Sequence, residues 1–315
     1  MVLEKGNISN DFKRWFKSYI RNAKYREISD SSLLVYNRII TNLEDYIKTQ
    51  DEVDSIKEID KEFILSFLES LEESSKSKKF STKTKTLYIS ILKSFFMYIS
   101  SNNDEFYTYE NEFKGIMPKK TKRNKKIKYL SDSDVGKILD YLEKNLSTEK
   151  HYSYLHSLGV KLMLFAGLRI SEALSLKVED INISDLTDSS GERDFYEIFL
   201  KNTKSQEEQT ALIKIELIKK ELKYFRTLDS EYIFQGKKST TKINRTNFYT
   251  SISKIMEKLN IRSRGLHIFR HTCAMQLYRK TGNILVLKET LRHADIKTTM
   301  IYAHAEKRDI ADAMR

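Results

Sequence analysis

Residues 265–280 read GLHIFRHTCAMQLYRK. His267, Arg270 and His271 fall within five positions, and the run behind them is mostly apolar at helical spacing. His267 and Arg270 stand three residues apart, so on a helix they share a face. Met275 and Leu277 belong to the stretch that roots that helix in a core. A soluble helix has no structural need for such a polar cluster beside a buried face. Three readings compete: a catalytic site, a metal site and a charged helix end.

The sequence on either side adds to the cluster. Upstream, SLGVKLMLFAGLRISEALSLKVEDI (157–181) is an apolar helical pattern interrupted at Gly167, which predicts two helices joined by a turn that presents Arg169. Glu172 follows one helical turn later and could hold the arginine in place. DFYEIFLK (194–201) and QTALIKI (209–215) flank the polar NTKSQEE and predict a hairpin with Lys204 in its turn and Lys201 beside it. Downstream, LRHADIKTTMIYAH (291–304) supplies His293 and, nine residues on, Tyr302. Singly these signals are weak. Surface Arg–Glu pairs are common, turn lysines are mostly solvated, and a lone tyrosine near a C-terminus is usually packing.

Together they form the set that phosphodiester transesterification needs. Two arginines can clamp non-bridging oxygens whose charge grows in the transition state. Histidines move protons near neutral pH. A lysine can protonate a leaving oxygen, and a tyrosine hydroxyl can attack phosphorus to form a covalent ester.

Arg169 with Glu172, a hairpin lysine, HIFRH and LRHADIKTTMIYAH, in that order, resemble the tyrosine recombinase/integrase family. GLRISEAL and LRHADIKTTMIYAH look most like its Xer branch. The resemblance spans essentially the whole chain. It implies that Arg169 and Arg270 bind the scissile phosphate, Lys204 is the general acid for the 5′-hydroxyl, and His267 assists proton transfer at the nucleophile. His293 would hydrogen-bond the phosphate, Tyr302 would be the nucleophile, and Glu172 would support the site. The intermediate would be a 3′-phosphotyrosyl DNA that conserves bond energy, so no metal, ATP or other cofactor is implied. Lys201 is the alternative hairpin lysine, and the turn's SQEE is acidic where relatives tend to be basic. His271 reads as structural. Thirteen residues follow Tyr302, a short segment for the packing onto a neighbouring protomer that the family uses. The implied partners are a double-stranded DNA recombination site, a homotetramer on two sites, and a DNA translocase or second recombinase. The implied role is resolution of chromosome dimers at a dif-like site, with integration or excision of a mobile element as the alternative.

Composition agrees with a polyanionic partner. The 315 residues carry a formal net charge of +12, and 40% are hydrophobic, enough for real cores. A lysine-rich protein from an AT-rich genome would share part of that charge. The sole cysteine, Cys273, excludes an intrachain disulfide and a cysteine-rich zinc site. No apolar run approaches the roughly 18 residues of a membrane span, and no signal-peptide pattern opens the chain. A cytoplasmic, nucleoid-associated protein is expected.

The charge is uneven. PKKTKRNKKIK (118–128) contains Lys119, Lys120, Lys122, Arg123, Lys125, Lys126 and Lys128 and no acid, between two near-balanced pieces. This predicts a helical core-binding domain over 1–116, a basic linker over 117–128 and a catalytic domain over 129–315. The first domain reads as four helices, SAM-like under the resemblance. One runs around 11–26. The others are SDSSLLVYNRIITNLEDYI with Leu34 and Val35 in its apolar set, IDKEFILSFLESLEE capped by Asp60, and STKTKTLYISILKSFFMYIS, which includes Leu87. Lys79, Lys83 and Lys85 precede or open the last helix and, with the linker cations, are candidate phosphate contacts. The second domain reads as mainly α with a small antiparallel sheet. With the first it would form a C-shaped clamp on DNA.

Other classes fit less of the pattern. A metal hydrolase could use His267, His271, His293 and His304, but no glutamate stands between the first two as a zincin needs. A non-enzymatic DNA-binding regulator explains charge and helices, not the six matching site residues. A type IB topoisomerase shares the chemistry but not the Xer-like motifs.

Overall fold

The computed structural model describes residues 6–50, 53–75, 79–118, 127–147, 150–187, 190–201, 208–236, 241–262 and 265–303. Lys119, Lys120, Lys122, Arg123, Lys125, Lys126, Lys204 and His304 lie outside them. The chain divides into two compact units, 1–123 and 124–315.

The first unit is built from α1 (Gly6–Tyr25), α2 (Asp30–Lys48), α3 (Lys61–Ser74) and α4 (Thr82–Asn102). Caps fix where the helices start. The Asp60 carboxylate accepts from the Phe63 N–H at 2.8 Å, and the Ser81 hydroxyl accepts from the Thr84 N–H. The four helices bury one aromatic-rich core. Phe95 meets Phe12, Tyr19 and Phe96 with ring centroids 5.3–5.4 Å apart. The chain after α4 closes this core with Tyr109 and Phe113, and the Tyr109 hydroxyl donates to the Ile56 carbonyl at 2.5 Å. Two apolar assignments from the sequence need correction. Leu34 is 70% exposed and Leu87 is also exposed, because α2 turns Leu33, Ile39, Ile40, Leu43 and Ile47 inward and α4 turns Tyr88, Ile91, Leu92 and Phe95 inward.

The second unit contains α5 (Asp132–Lys144), α6 (His151–Phe165), α7 (Ile170–Leu174), β1 (Ile181–Ile183), β2 (Phe195–Leu200), β3 (Gln209–Lys214), α8 (Ile215–Arg226), α9 (Arg245–Lys258), α10 (His267–Thr281) and α11 (Ile284–Leu291). A last helical run occupies 297–303. Helix α6 is nearly all apolar and sits centrally, packed by α5, α8, α9 and α10. Its one buried cation, Lys161, is neutralised by Glu221 of α8 at 2.6 Å. Ser131 caps α5 through the Asp134 N–H at 3.1 Å.

The sheet is antiparallel in the order β1-β2-β3, with Ile198 paired to both Ile181 and Ala211. The hairpin lies where the sequence put it. Strand β1 does not: KVEDI looked like the tail of a helix. Helix α7 ends after five residues, the Asp180 carboxylate accepts from the Lys177 N–H, and the chain leaves as a three-residue strand too short to show a period. Among the described residues no helix is long and apolar enough to cross a membrane.

Candidate active site

The α6–α7 turn requires Gly167. Its φ of +61° suits glycine, and a Cβ there would come within 3.2 Å of Leu291 Cδ2. The turn leaves the buried Gly167 carbonyl outside the helical hydrogen-bond ladder, open to side-chain donors, and places Arg169 just ahead of α7. Glu172 then folds back onto Arg169: Oε2 accepts from the Arg169 backbone N–H at 2.7 Å, and Oε1 accepts from its guanidinium at 2.6 Å. Arg169 remains 38% exposed at its side chain, with its second guanidinium nitrogen donating to the Arg292 carbonyl at 3.5 Å.

Helix α10 supplies Arg270, only 5% exposed. Its guanidinium donates to the Gly167 carbonyl at 2.5 Å and to the Leu291 carbonyl, and it lies 3.8 Å from Glu172. Burial, the largest influence, and the nearby Arg169 charge lower its pKa to about 10, still far above neutrality. A third guanidinium, Arg292, reaches the Gly167 carbonyl and Glu172 Oε2, both at 3.1 Å. Burial alone would raise the Glu172 pKa. The charge of Arg292 and the bonds from Arg169 outweigh it and hold the carboxyl below its ordinary value. Three guanidiniums around one carboxylate leave a positive excess, and an anion is what such a half-buried site can bind.

The histidines ring this cluster. His267 opens α10 and is exposed. Burial of its ring, then the charges of Arg245, Arg270 and Arg169, lower its pKa. His293 shares a 2.9 Å hydrogen bond with the Thr299 hydroxyl. Burial, then Arg270, Arg169 and Arg292, push it down to about 4, so it is neutral at pH 7. Tyr302 is 2% exposed in a small core with Ala274, Met275, Leu287 and Leu291. Burial raises its pKa to about 12, against the lowering effect of Arg270. Its hydroxyl shares a 2.7 Å hydrogen bond with Nδ1 of His271, the histidine that the sequence assigned to structure.

Arg169, Glu172, His267, Arg270, His293 and Tyr302 are therefore brought to one region from three separated stretches. The sequence reading missed Arg292, although it lies inside LRHADIKTTMIYAH, and Arg245 at the start of α9. Two of the candidate lysines are held by acidic side chains. Lys201 pairs with Asp180 at 2.8 Å and Glu179 at 3.6 Å. Lys85 pairs with Glu72 at 2.8 Å, so that candidate phosphate contact is already engaged, whereas Lys83 is exposed at the first turn of α4. Lys79 is exposed and its charge acts on Glu72. Among the described residues no group of three histidine, cysteine or acidic side chains is placed to hold a metal ion.

A cluster of arginines, one buried and one half-exposed, with a tyrosine beside it on a mainly helical scaffold is the arrangement of a phosphoryl-transfer site that works through a covalent ester. Comparison with known proteins gives the family. Residues 128–309 match the phage integrase family, and residues 11–98 match the phage integrase SAM-like domain. The chain is 30% identical over 268 residues to the tyrosine recombinase XerH of Campylobacter jejuni, covering 79% of this chain and 68% of that one. It is 27% identical over 302 residues to XerD of Rickettsia bellii, covering 92% and 93%. Its fold superposes on the crystal structure of a XerH recombinase bound to a palindromic difH substrate with a TM-score of 0.74, at 23% identity, covering 97% of this chain and 84% of that one. A lambda integrase dimer bound to a core site gives a TM-score of 0.64 at 15% identity, covering 94% and 78%. The chain belongs to the phage integrase family of tyrosine-type site-specific recombinases, in its Xer branch.

Proposed function

We propose that this protein cuts and rejoins duplex DNA at a specific site through a 3′-phosphotyrosyl intermediate. The observation that carries the proposal is the convergence of Arg169, Arg270, His267, His293 and Tyr302 around a site with a net positive excess. Arg169 and Arg270 hold the non-bridging oxygens of the scissile phosphate. The Tyr302 oxygen attacks phosphorus and gives up its proton, with His267 assisting. The 5′-oxygen leaves and takes a proton from Lys204. His293, neutral, hydrogen-bonds the phosphate, and Glu172 keeps Arg169 aimed. Rejoining is the reverse, with a 5′-hydroxyl attacking the phosphotyrosine. Because Tyr302 is buried on His271, DNA binding has to open a path to its hydroxyl.

On DNA the active assembly is a homotetramer on two sites. The linker cations and Lys83 contact backbone phosphates, and residues 1–116, 117–128 and 129–315 act as core-binding domain, basic linker and catalytic domain. The biological reaction is resolution of chromosome dimers at a dif-like site, a reading supported by the Xer relatives. Integration or excision of a mobile element uses the same chemistry, and a solved transposon integrase shares the fold with a TM-score of 0.60. Genomic context and selection of bound DNA sequences separate the two.

The decisive experiment incubates the protein with a nicked suicide substrate in EDTA and looks for covalent protein–DNA on a denaturing gel. An adduct lost in Tyr302→Phe, with DNA binding retained, is expected. Its absence on a verified cognate site would overturn the proposal.

A further inference from the structure

We infer that Arg292 is a positioning residue of the cleavage site, which locks Glu172 in the orientation that aims Arg169 at the phosphate. The inference rests on the recombinase reading above and names a residue to which that reading gives no role.

Arg292 follows α11 with φ and ψ both +51°, the left-handed region that glycine or asparagine enters with little strain. A helix end needing only a reversal would carry one of those residues. This chain instead places its largest cation there and leaves the side chain 5% exposed, beside two other guanidiniums. Burying a third like charge next to Arg169 and Arg270 is unfavourable on its own. A strained, buried cation persists where its surroundings hold it in place, and such residues cluster at functional sites.

Its contacts say what it does. One guanidinium nitrogen donates to the Thr290 carbonyl at 2.8 Å and ties the side chain to its own helix end. The other donates to the Gly167 carbonyl and to Glu172 Oε2, both at 3.1 Å. The backbone carbonyl of the same residue receives the Arg169 guanidinium at 3.5 Å. Arg292 thus joins the α6–α7 turn, the glutamate and the first phosphate-binding arginine. Its buried Nε has no partner, so one donor is left unsatisfied while the other two nitrogens serve the helix end, the turn and the glutamate.

Glu172 is faced by Arg169 ahead of α7, Arg270 from α10 and Arg292 from the end of α11. Burial opposes ionisation of Glu172, and the charge of Arg292 is the largest influence in its favour. Ionised, Glu172 grips both the backbone and the guanidinium of Arg169. Protonated, it loses the charge-assisted part of that grip. Removing Arg292 therefore takes away the hydrogen bonds that pin Glu172 Oε2 and the Gly167 carbonyl, which loosens Arg169 even where Glu172 stays ionised, and it also moves the Glu172 titration upward.

The test uses the full chain and compares wild type, Arg292→Gly and Arg292→Lys. Glycine relieves the backbone while deleting the side chain, so Arg292→Gly should melt no lower than Arg292→Lys. Adduct formation by Arg292→Gly on the suicide substrate should fall by about tenfold or more at pH 7. The acid limb of its rate–pH profile should move to higher pH. Arg292→Lys, which keeps the charge, should restore part of that limb. Carbon-13 NMR titration of the Glu172 carboxyl, assigned with Glu172→Gln, should show the same upward movement without DNA. Wild-type rate and an unmoved Glu172 titration in Arg292→Gly would overturn the inference. If wild type itself forms no adduct, the recombinase reading fails, and the NMR titration alone decides for or against Arg292. Should Arg292→Gly fail to fold, Arg292→Asn, which also tolerates the left-handed backbone, takes its place in both measurements.

Discussion

The hydroxyl of Tyr302 and Nδ1 of His271 lie 2.7 Å apart, one inside a small apolar core and the other on α10. Burial keeps the phenol protonated, and burial with the charges of His267 and Arg270 keeps the imidazole below its usual pKa. The pair is thus a neutral hydrogen bond at pH 7. His271→Phe keeps a ring of similar size and leaves the buried phenol without its partner, which costs about 1–3 kcal/mol. Tyr302→Phe added to that variant should cost nothing more, so urea denaturation of the four proteins should give a coupling energy of about 1 kcal/mol or more. Additive losses would mean that the hydrogen bond contributes nothing to stability.

Arg270 spans two carbonyls, those of Gly167 and Leu291, while lying 3.8 Å from Glu172. A lysine keeps the charge but is a single point donor on a flexible stem and cannot reproduce the planar fork. Arg270→Lys should lose about 1–3 kcal/mol in urea denaturation as one buried carbonyl goes unpaired. Its rate of adduct formation should fall by about 10²-fold or more. A variant that cleaves within a factor of about two of wild type would show that charge alone suffices at this position.

What was legible in the sequence follows from the range of each signal. Helices with strong apolar periods and side-chain caps, such as α3 with Asp60 and α4 with Ser81, could be placed because both signals are local. The break at Gly167 was legible because a glycine inside an apolar helix is a chain-local anomaly. Strand β1 was hidden, since three residues carry no period and its partner β2 lies beyond a loop. Arg169, Glu172, His267, Arg270, His293 and Tyr302, which the structure brings together, could be picked out by type and order. The bond between His271 and Tyr302, 31 residues apart, could not, because only the packing of α10 against the last helical run creates it. Arg292 was overlooked for a related reason: its strain is in the backbone, and no sequence pattern displays a positive φ.

Stability should fall as pH drops below neutrality, before carboxylates titrate. His267, His271 and His293 all have native pKa values below the ordinary 6.5, His293 at about 4. Between those limits the unfolded chain binds protons that the native state refuses, so unfolding free energy rises with pH. The melting temperature should therefore decline steadily from pH 6.5 to pH 5. In His293→Gln, which removes the most depressed of the three, the decline should be shallower. An unchanged slope in that variant would remove His293 as its source.

Affinity for DNA should be steeply salt-dependent. The stretch 118–128 carries seven basic residues without an acid. If the linker tracks the backbone, replacing Lys119, Lys120, Lys122 and Arg123 by glutamine should reduce the slope of log K against log salt by about 0.9 for each phosphate no longer neutralised. A fluorescence anisotropy series between low and moderate salt measures it. A slope equal to wild type would mean that these cations stay solvated on the complex.

The two hairpin lysines should separate cleanly. Lys201 is committed to Asp180 at 2.8 Å, and that hydrogen bond and charge raise its pKa, which makes it a poorer proton donor. Asp180 is itself buried, and Lys201 neutralises it. Lys201→Ala should therefore lower stability by leaving the buried Asp180 carboxylate without its cation, while adduct formation persists. Lys204→Ala should leave stability near wild type and slow cleavage by about 10²-fold or more, the loss of a general acid. A substrate with sulfur in place of the bridging 5′-oxygen supplies the discriminating readout. A thiolate leaves without a proton, so this substrate should restore cleavage by Lys204→Ala and gain nothing with Lys201→Ala. Rescue of Lys201→Ala instead would move the general acid to Lys201 and leave Asp180 as the group that tunes it.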